Sequence, residues 1–436
     1  MESLLRKIRE KLNEIIAVSE RRRLSINFAN FGLFQIINYI IPLVTIPYIV
    51  RIIGPEKFGV ISIAYALTYY LWIIVDYGYN ISGVQRISQN QNDIRICSQI
   101  AKNIFIIQIV LNLFCLILLF LIINLYKPFS GYKEIFLYYF LVIPANILLA
   151  SWFYTGVEQV KYISLLSFTS RTIYVILIFS LIRGEQDFIL IPIFYSGSML
   201  IGGIISLNII IRKFKLKFGK TVSSDIFSFL KQDRQIYISN IFMNLYRNSN
   251  ILILSVFVNE ASVGIYSAGE KLIKAIQTTF APITQAFYPF ISRITVTSKS
   301  HSQKVIKYIL IVTGILAGSI FVIIFLFSDI INHIVFGKDF LATARIMRIA
   351  SPVIYFGVIN YIIGIIFMTN YALKKEFSYS VIIVGLINIV ICSILSYYYQ
   401  NTGAAISFAL AEILLFLVMC IFIVKNKEKW KISNGK

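Results

Sequence analysis

Four basic residues lie where a membrane would make charge most costly. Arg247 sits in the middle of an apolar run, 236–258, with Asn240, Asn244, Asn248 and Asn250 around it. Arg171 lies well inside the run 163–182, and Lys271 and Lys274 lie at comparable depth in the run 263–291. A charged side chain at bilayer centre costs roughly 2.5–3.5 kcal/mol on insertion scales, so such residues face protein, water or a ligand. A guanidinium suits phosphate because its planar fork binds two oxygens at once. These residue types therefore point to a cationic cavity that meets an anionic substrate. Structural ion pairs with Asp76, Glu270 or Glu412 are the competing reading. Glu270 and Lys274 in particular stand four apart, in the favourable order for a pair on one helix.

Polar residues recur on single helical stripes in the neighbouring runs. Gln35, Asn38, Pro42 and Thr45 are spaced by three, four and three, which is one helix face. Tyr65, Tyr69, Trp72, Asp76 and Tyr79 form a second stripe. Glu270, Lys274, Gln277 and Thr284 form a third, and Asn240, Asn244, Arg247 and Asn250 mark a fourth stretch. Lipid cannot satisfy such groups, so these faces read as the lining of an internal cavity. Asparagines that glue helices together and an ordinary aromatic packing stripe are the plainer alternatives. Pro42 and Pro47 predict kinks in the first run. Asp76, Glu270 and Glu412 are the candidates for proton or sodium coupling.

Other chemistries find no support. The two histidines, His301 and His333, are far apart, and no metal-ligand cluster, HExxH, Walker loop or nucleophile elbow occurs. No catalytic residue, metal or cofactor is expected, and the chain does not read as an enzyme or as a self-contained ATP-driven pump. Cys97, Cys115, Cys392 and Cys420 lack CxxC spacing and read as small buried hydrophobes.

The elements that must position these residues are membrane helices. Of 436 residues 58% are hydrophobic and 14% charged, far from the balance of a soluble protein. Apolar runs long enough for a ~30 Å hydrocarbon core recur at about 24–53, 60–81, 104–124, 135–156, 163–182, 188–211, 236–258, 263–291, 305–328, 347–369, 379–398 and 402–424. No cleavable signal peptide is expected, and residues 1–23 read as an amphipathic segment on the membrane surface. With both termini cytoplasmic, 28 of the 41 Lys and Arg fall on the inner side and 7 on the outer. This positive-inside bias accounts for the net charge of +21 and removes the case for nucleic-acid binding.

The longest basic stretch, 212–235, divides the chain into six runs and six runs. The expected organisation is a cytoplasmic segment 1–23, an N-lobe 24–211, a linker 212–235, a C-lobe 236–424 and a basic tail 425–436. Sequence self-similarity agrees. A shift of 205 places Gly59 on Gly264, Ser62 on Ser267 and Leu67 on Leu272, and a shift of 214 places Phe153 on Phe367 and Lys161 on Lys375. An even number of spans puts both halves in the same orientation, so the repeats are related by an axis along the membrane normal. The expected fold class is an all-α polytopic membrane protein of about twelve helices in two six-helix lobes.

The stretch 38–59, with Pro42, Pro47, Arg51 and Gly54-Pro55-Glu56-Lys57-Phe58-Gly59, closely resembles the opening of polysaccharide flippases. These are the lipid-linked O-antigen repeat-unit translocases of the multidrug/oligosaccharidyl-lipid/polysaccharide exporter superfamily. Ser151-Trp152-Phe153-Tyr154-Thr155-Gly156 resembles that family's junction of fourth and fifth spans, and Gly264-Ile265-Tyr266-Ser267-Ala268 and the Pro282 to Pro289 segment fit as well. The resemblance implies a V-shaped pair of lobes, alternating access and a polyprenyl-diphosphate-linked oligosaccharide moved to the periplasmic leaflet of the bacterial inner membrane for O-antigen or capsule synthesis. It implies a cation-lined lumen, which suits Arg247, Arg171, Lys271 and Lys274 in character. Tyr65, Tyr69 and Trp72 would then stack on sugar faces, with Gln35, Asn38, Asn240 and Asn244 as polar lining. The expected partners are the lipid-linked glycan, membrane lipid and a polysaccharide polymerase. A multidrug exporter of the same superfamily, or a membrane scaffold for glycan assembly, is the alternative.

Overall fold

Helix formation in this chain follows from the solvent. A backbone in hydrocarbon must satisfy its own hydrogen bonds, and apolar runs of this length do so as helices. The computed structural model describes the backbone of residues 18–126, 129, 131–216 and 223–430, and the side chains of these residues except 18–40, 223–226, 239, 246, 247, 285 and 286. The amphipathic segment expected at 1–23 lies outside the described residues up to 17. Among the described residues the secondary structure is helical throughout, without strands.

Among the described residues, eight helices are long and apolar enough to cross a membrane. Three of the helical stretches contain an internal break, one of them at Phe327 near the end of Lys299–Val335, and the other two are divided by theirs. In α1 (Val18–Asp76) the backbone leaves helical geometry at Gly54, with φ 70 and ψ 175, a combination open essentially to glycine alone. The break falls just before Pro55, in the interval expected between the runs 24–53 and 60–81, while Pro42 and Pro47 lie within helical backbone. The helix Lys374–Lys425 breaks in the same way at Gln400. Two further stretches, 223–255 and 260–297, are too polar to pass on hydropathy. They hold α9 (Ser223–Asn248) followed by Asn250–Ser255, and α11 (Glu260–Thr278) followed by α12 (Ala281–Thr297). Eight apolar helices, two of them divided, plus these two polar stretches are compatible with about twelve spans.

The first two elements of the repeat meet face to face. Helix α11 packs most extensively on α1. A methyl group added to Gly59 would fall 1.8 Å from the Glu260 carbonyl oxygen, and one added to Gly264 would fall 1.9 Å from the Pro55 carbonyl oxygen. Glu260 is the counterpart of Pro55 at the same shift of 205 that relates Gly264 to Gly59, so the two contacts are reciprocal. Ser267 Oγ donates to Ser62 Oγ at 2.8 Å, again residue to counterpart. Equivalent residues touch only where a two-fold axis passes between them, so the pseudo-symmetry axis runs through this crossing. Small residues here let the backbones approach, which is how helices gain packing energy where lipid supplies no hydrophobic drive.

Beyond the crossing, the halves are tied at both ends. At one end Arg51 donates to the carbonyls of Ile334 and Val335 at the end of Lys299–Val335. At the opposite end Arg86 Nη2 meets Asp233 Oδ1 at 2.9 Å, with its guanidinium over the Phe229 ring at 3.9 Å. Burial pushes the Asp233 carboxyl up from its ordinary range, and the Arg86 charge opposes that shift.

Candidate functional site

Two cavities flank the α1–α11 crossing. The larger, about 520 Å³, is walled by α1, by helices of the first half and by α11. The smaller, about 350 Å³, is walled by α9, α11 and helices of the second half. Lys274 and Thr278 line both, so one turn of α11 separates them.

Three cations, Arg171, Lys271 and Lys274, line the first-half cavity, and no carboxylate does among the described residues. Arg171, from α7 (Val160–Leu181), lines it. Among the described residues no ion pair or hydrogen bond engages Arg171. Lys271 lines the same space and donates to Ser62 Oγ at 3.1 Å. Its ammonium lies 4.6 Å from the Phe58 ring centroid and 6.0 Å from that of Tyr65, contacts that partly offset desolvation. Four tyrosines complete this wall: Tyr65 from α1, Tyr139 from α4 (Lys133–Phe140), Tyr174 from α7 and Tyr195 from α8 (Leu190–Arg212). Their rings meet largely edge-on, with centroids 5.8 Å apart for Tyr65–Tyr139 and Tyr65–Tyr195 and 5.3 Å for Tyr174–Tyr195.

The second-half cavity is different in charge. Lys274 Nζ lies 3.0 Å from Glu270 Oε1, so the plain pairing reading of these two residues describes what is there. Glu270 is 2% exposed and also accepts from Tyr266 at 3.2 Å. Behind it a buried chain runs from Tyr266 to Asn250, Asn388 and Ser407. Glu412 accepts from Asn360 Nδ2 at 2.7 Å and from Gln277 Nε2 at 3.5 Å.

The remaining sequence candidates divide. Tyr69 lines the second-half cavity and donates to Asn244 Oδ1 at 2.7 Å. Asn244 in turn donates to the Asn240 carbonyl at 2.8 Å, a step along one face of α9. Trp72 packs against the apolar core and lines neither cavity. Asp76 is buried at the end of α1 and accepts from Asn80 at 2.6 Å, also away from both. The side chains of Arg247, Gln35 and Asn38 lie outside the described residues, although their backbone is helical. Sequence reasoning missed Tyr139, Tyr174, Tyr195 and Asn360. Tyr174 stands three residues from Arg171, one turn along the same helix face, and was legible by that signal. Tyr139 stands seven residues before Asn146 and Tyr195 three before Ser198, spacings of one helix face, whereas Asn360 has no polar residue three, four or seven positions away.

Comparison with known proteins places these cavities in a known architecture. A family model described as "Polysaccharide biosynthesis protein" matches residues 26–295. A protein named "Putative O-antigen transporter" from Escherichia coli (strain K12) is 28% identical over 392 residues, covering 89% of this chain and 94% of its own length. One of the same name from Shigella dysenteriae is 25% identical over 392 residues, covering 88% and 95%. Among solved structures, the lipid II flippase MurJ in an inward closed conformation aligns with TM-score 0.70 and 17% identity over 93% of this chain and 89% of its own. An inward-facing multidrug resistance MATE family transporter of the MOP superfamily aligns with TM-score 0.65 and 12% identity over 94% and 99%.

Proposed function

This chain belongs to the polysaccharide biosynthesis protein family, and from that membership we propose that it is a flippase for a polyprenyl-diphosphate-linked oligosaccharide. The cargo moves from the cytoplasmic to the periplasmic leaflet of the bacterial inner membrane by alternating access, and feeds O-antigen or capsule synthesis. The observation that carries this reading is the first-half cavity, whose lining holds Arg171 and Lys271 but, among the described residues, no carboxylate. Partly buried cations in such a lining favour an anion, and a diphosphate entering the cavity supplies it. Lys274, shared between cavities, and Arg247 on α9 are further diphosphate ligands in this proposal. Gln35, Asn38, Asn240 and Asn244 contribute polar lining and Tyr69 contributes aromatic surface, whereas Trp72, packed on the apolar core, does not. Glu270, Glu412 and Asp76 are the carboxylates available for ion coupling.

The lipid tail stays in the bilayer while the head group crosses, so the protein performs no covalent step. Both termini lie in the cytoplasm, in line with the positive-inside bias of the loops. A polysaccharide polymerase is the proposed downstream partner. Export of organic cations fits the charges less well, because Lys274 already neutralises Glu270.

The test is transport by purified protein in proteoliposomes, with fluorescent lipid-linked glycan in one leaflet. Wild type is expected to equilibrate the label between leaflets, and the Arg171→Ala, Lys271→Ala double variant to slow it at least tenfold. Equal rates for the two proteins, or transport of organic cations in place of the glycan, would sink the reading.

A further inference from the structure

The two cavities differ in what they offer a ligand. The second-half cavity is lined by one cation and one carboxylate, Lys274 and Glu412, with Glu270 buried against Lys274, and is rich in amides, with Asn244, Asn248, Gln277 and Asn360 on its walls. The first-half cavity combines net positive charge with four convergent tyrosines. The rings buttress one another edge to face, an arrangement that fixes orientation. Tyr139 and Tyr174 are the buried backing, at 4% and 9% exposure, while Tyr65 is 37% exposed. No hydrogen bond engages the Tyr139 or Tyr174 hydroxyl among the described residues, and neither oxygen is among the sealed, unpartnered buried atoms. Both hydroxyls therefore open onto the cavity as unused donors. A pocket of about 520 Å³ has the size of a site for a drug-sized ligand. It admits a diphosphate with its adjoining sugar but not a whole oligosaccharide.

We propose that this cavity is a phospho-sugar subsite in which Arg171 and Lys271 hold the diphosphate and the Tyr65, Tyr139, Tyr174 and Tyr195 wall reads the first sugar attached to it. The proposal rests on the flippase reading and sharpens it, because it assigns recognition to the reducing-end sugar and leaves the rest of the glycan to the amide-lined space beyond Lys274. The physical logic is a division of labour. The cations supply affinity for any polyprenyl diphosphate. The tyrosines discriminate, since an aromatic face packs on the apolar side of a sugar ring and a fixed hydroxyl demands a correctly placed partner.

Binding to the full-length protein in lipid nanodiscs tests this with two probes. One is synthetic undecaprenyl diphosphate without sugar. The other is the lipid-linked glycan extracted from host cells deleted for this chain. Tyr174→Phe and Tyr139→Phe each remove one hydroxyl and keep the ring, so the fold has little to lose. They are expected to weaken binding of the glycan-bearing lipid about 3–10-fold, the size of one lost hydrogen bond, and to leave the bare lipid within about twofold. Tyr65→Ala, which removes an exposed face, should do the same more strongly. Arg171→Ala should weaken both probes alike. Tyrosine variants that weaken both probes equally, or neither, overturn the sugar assignment while the flippase reading stands. Failure of Arg171→Ala to weaken either probe overturns the diphosphate assignment. Failure of wild type to bind either probe overturns the subsite and the flippase reading together.

Discussion

Lys271 and Lys274 stand less than one helical turn apart and serve different ends. Lys274 completes an ion pair with a carboxylate that is 2% exposed. Removing one member of such a pair strands the other in low dielectric. Lys274→Ala should therefore lower stability by about 2–3 kcal/mol, after allowance for the partial exposure of the lysine. Adding Glu270→Gln should recover most of that loss. Thermal unfolding of the two single variants and the double variant in one detergent checks this, and additive losses would show that the two residues do not interact. Lys271 lies against Ser62, Phe58 and Tyr65 instead, with its charge turned to the cavity. Lys271→Met should leave the unfolding temperature unchanged or raised, because a buried cation is replaced by an apolar chain of similar length. Glycan transport by the same variant should fall. A lower unfolding temperature with intact transport would make Lys271 a structural residue.

At the scale of elements, the α1–α11 crossing is the place where the halves are closest. Its geometry depends on two glycines. A Cβ at Gly59 or Gly264 would lie within 2 Å of a backbone carbonyl oxygen, and a backbone cannot give way as a flexible side chain can. Gly59→Ala and Gly264→Ala should each force the helices apart, at a cost of about 1–3 kcal/mol typical of overpacking, with lower yields of folded protein. A second measurement addresses motion. Ser62 and Ser267 bring their hydroxyls within 2.8 Å, so Ser62→Cys with Ser267→Cys, in a background freed of Cys97, Cys115, Cys392 and Cys420, should oxidise readily to a disulfide. If the lobes pivot with this crossing fixed, transport survives the cross-link. If the crossing opens in each cycle, oxidation stops transport and reduction restores it. The breaks at Gly54 and Gln400 fall in the intervals that the sequence leaves between the runs 24–53 and 60–81 and between 379–398 and 402–424, so the division of these two long helices was legible. Pro42 and Pro47 keep helical backbone, while Gly54 takes a conformation open essentially to glycine.

For the whole molecule, the distribution of charge sets the direction of the expected work. An anionic head group leaving a cytoplasm at negative potential gains about 2.3 kcal/mol per charge per 100 mV. A potassium-diffusion potential, negative on the side that carries the glycan, should therefore speed flipping in proteoliposomes, and the opposite sign should slow it. A rate indifferent to both signs would assign the driving force to an ion gradient or to consumption of the product. The same long-range features were the ones open to inspection in the primary structure. Apolar runs of bilayer length mark the spans, and the 205-residue shift pairs Gly59 with Gly264 and Ser62 with Ser267, residues that the fold brings into contact. Each of these depends only on composition or periodicity along the chain, and the bilayer reads that pattern as a solvent does. The charges were legible only in part. The spacing of four already named Glu270 as a partner for Lys274, but only the packed helices placed Arg171 and Lys271 together on a cavity whose described lining holds no carboxylate. The tyrosine wall was equally hidden, because Tyr65, Tyr139, Tyr174 and Tyr195 come from four helices and converge only through tertiary packing. Hydrogen bonds, ion pairs and ring contacts act over a few ångströms, and which residues come that close is decided by the fold.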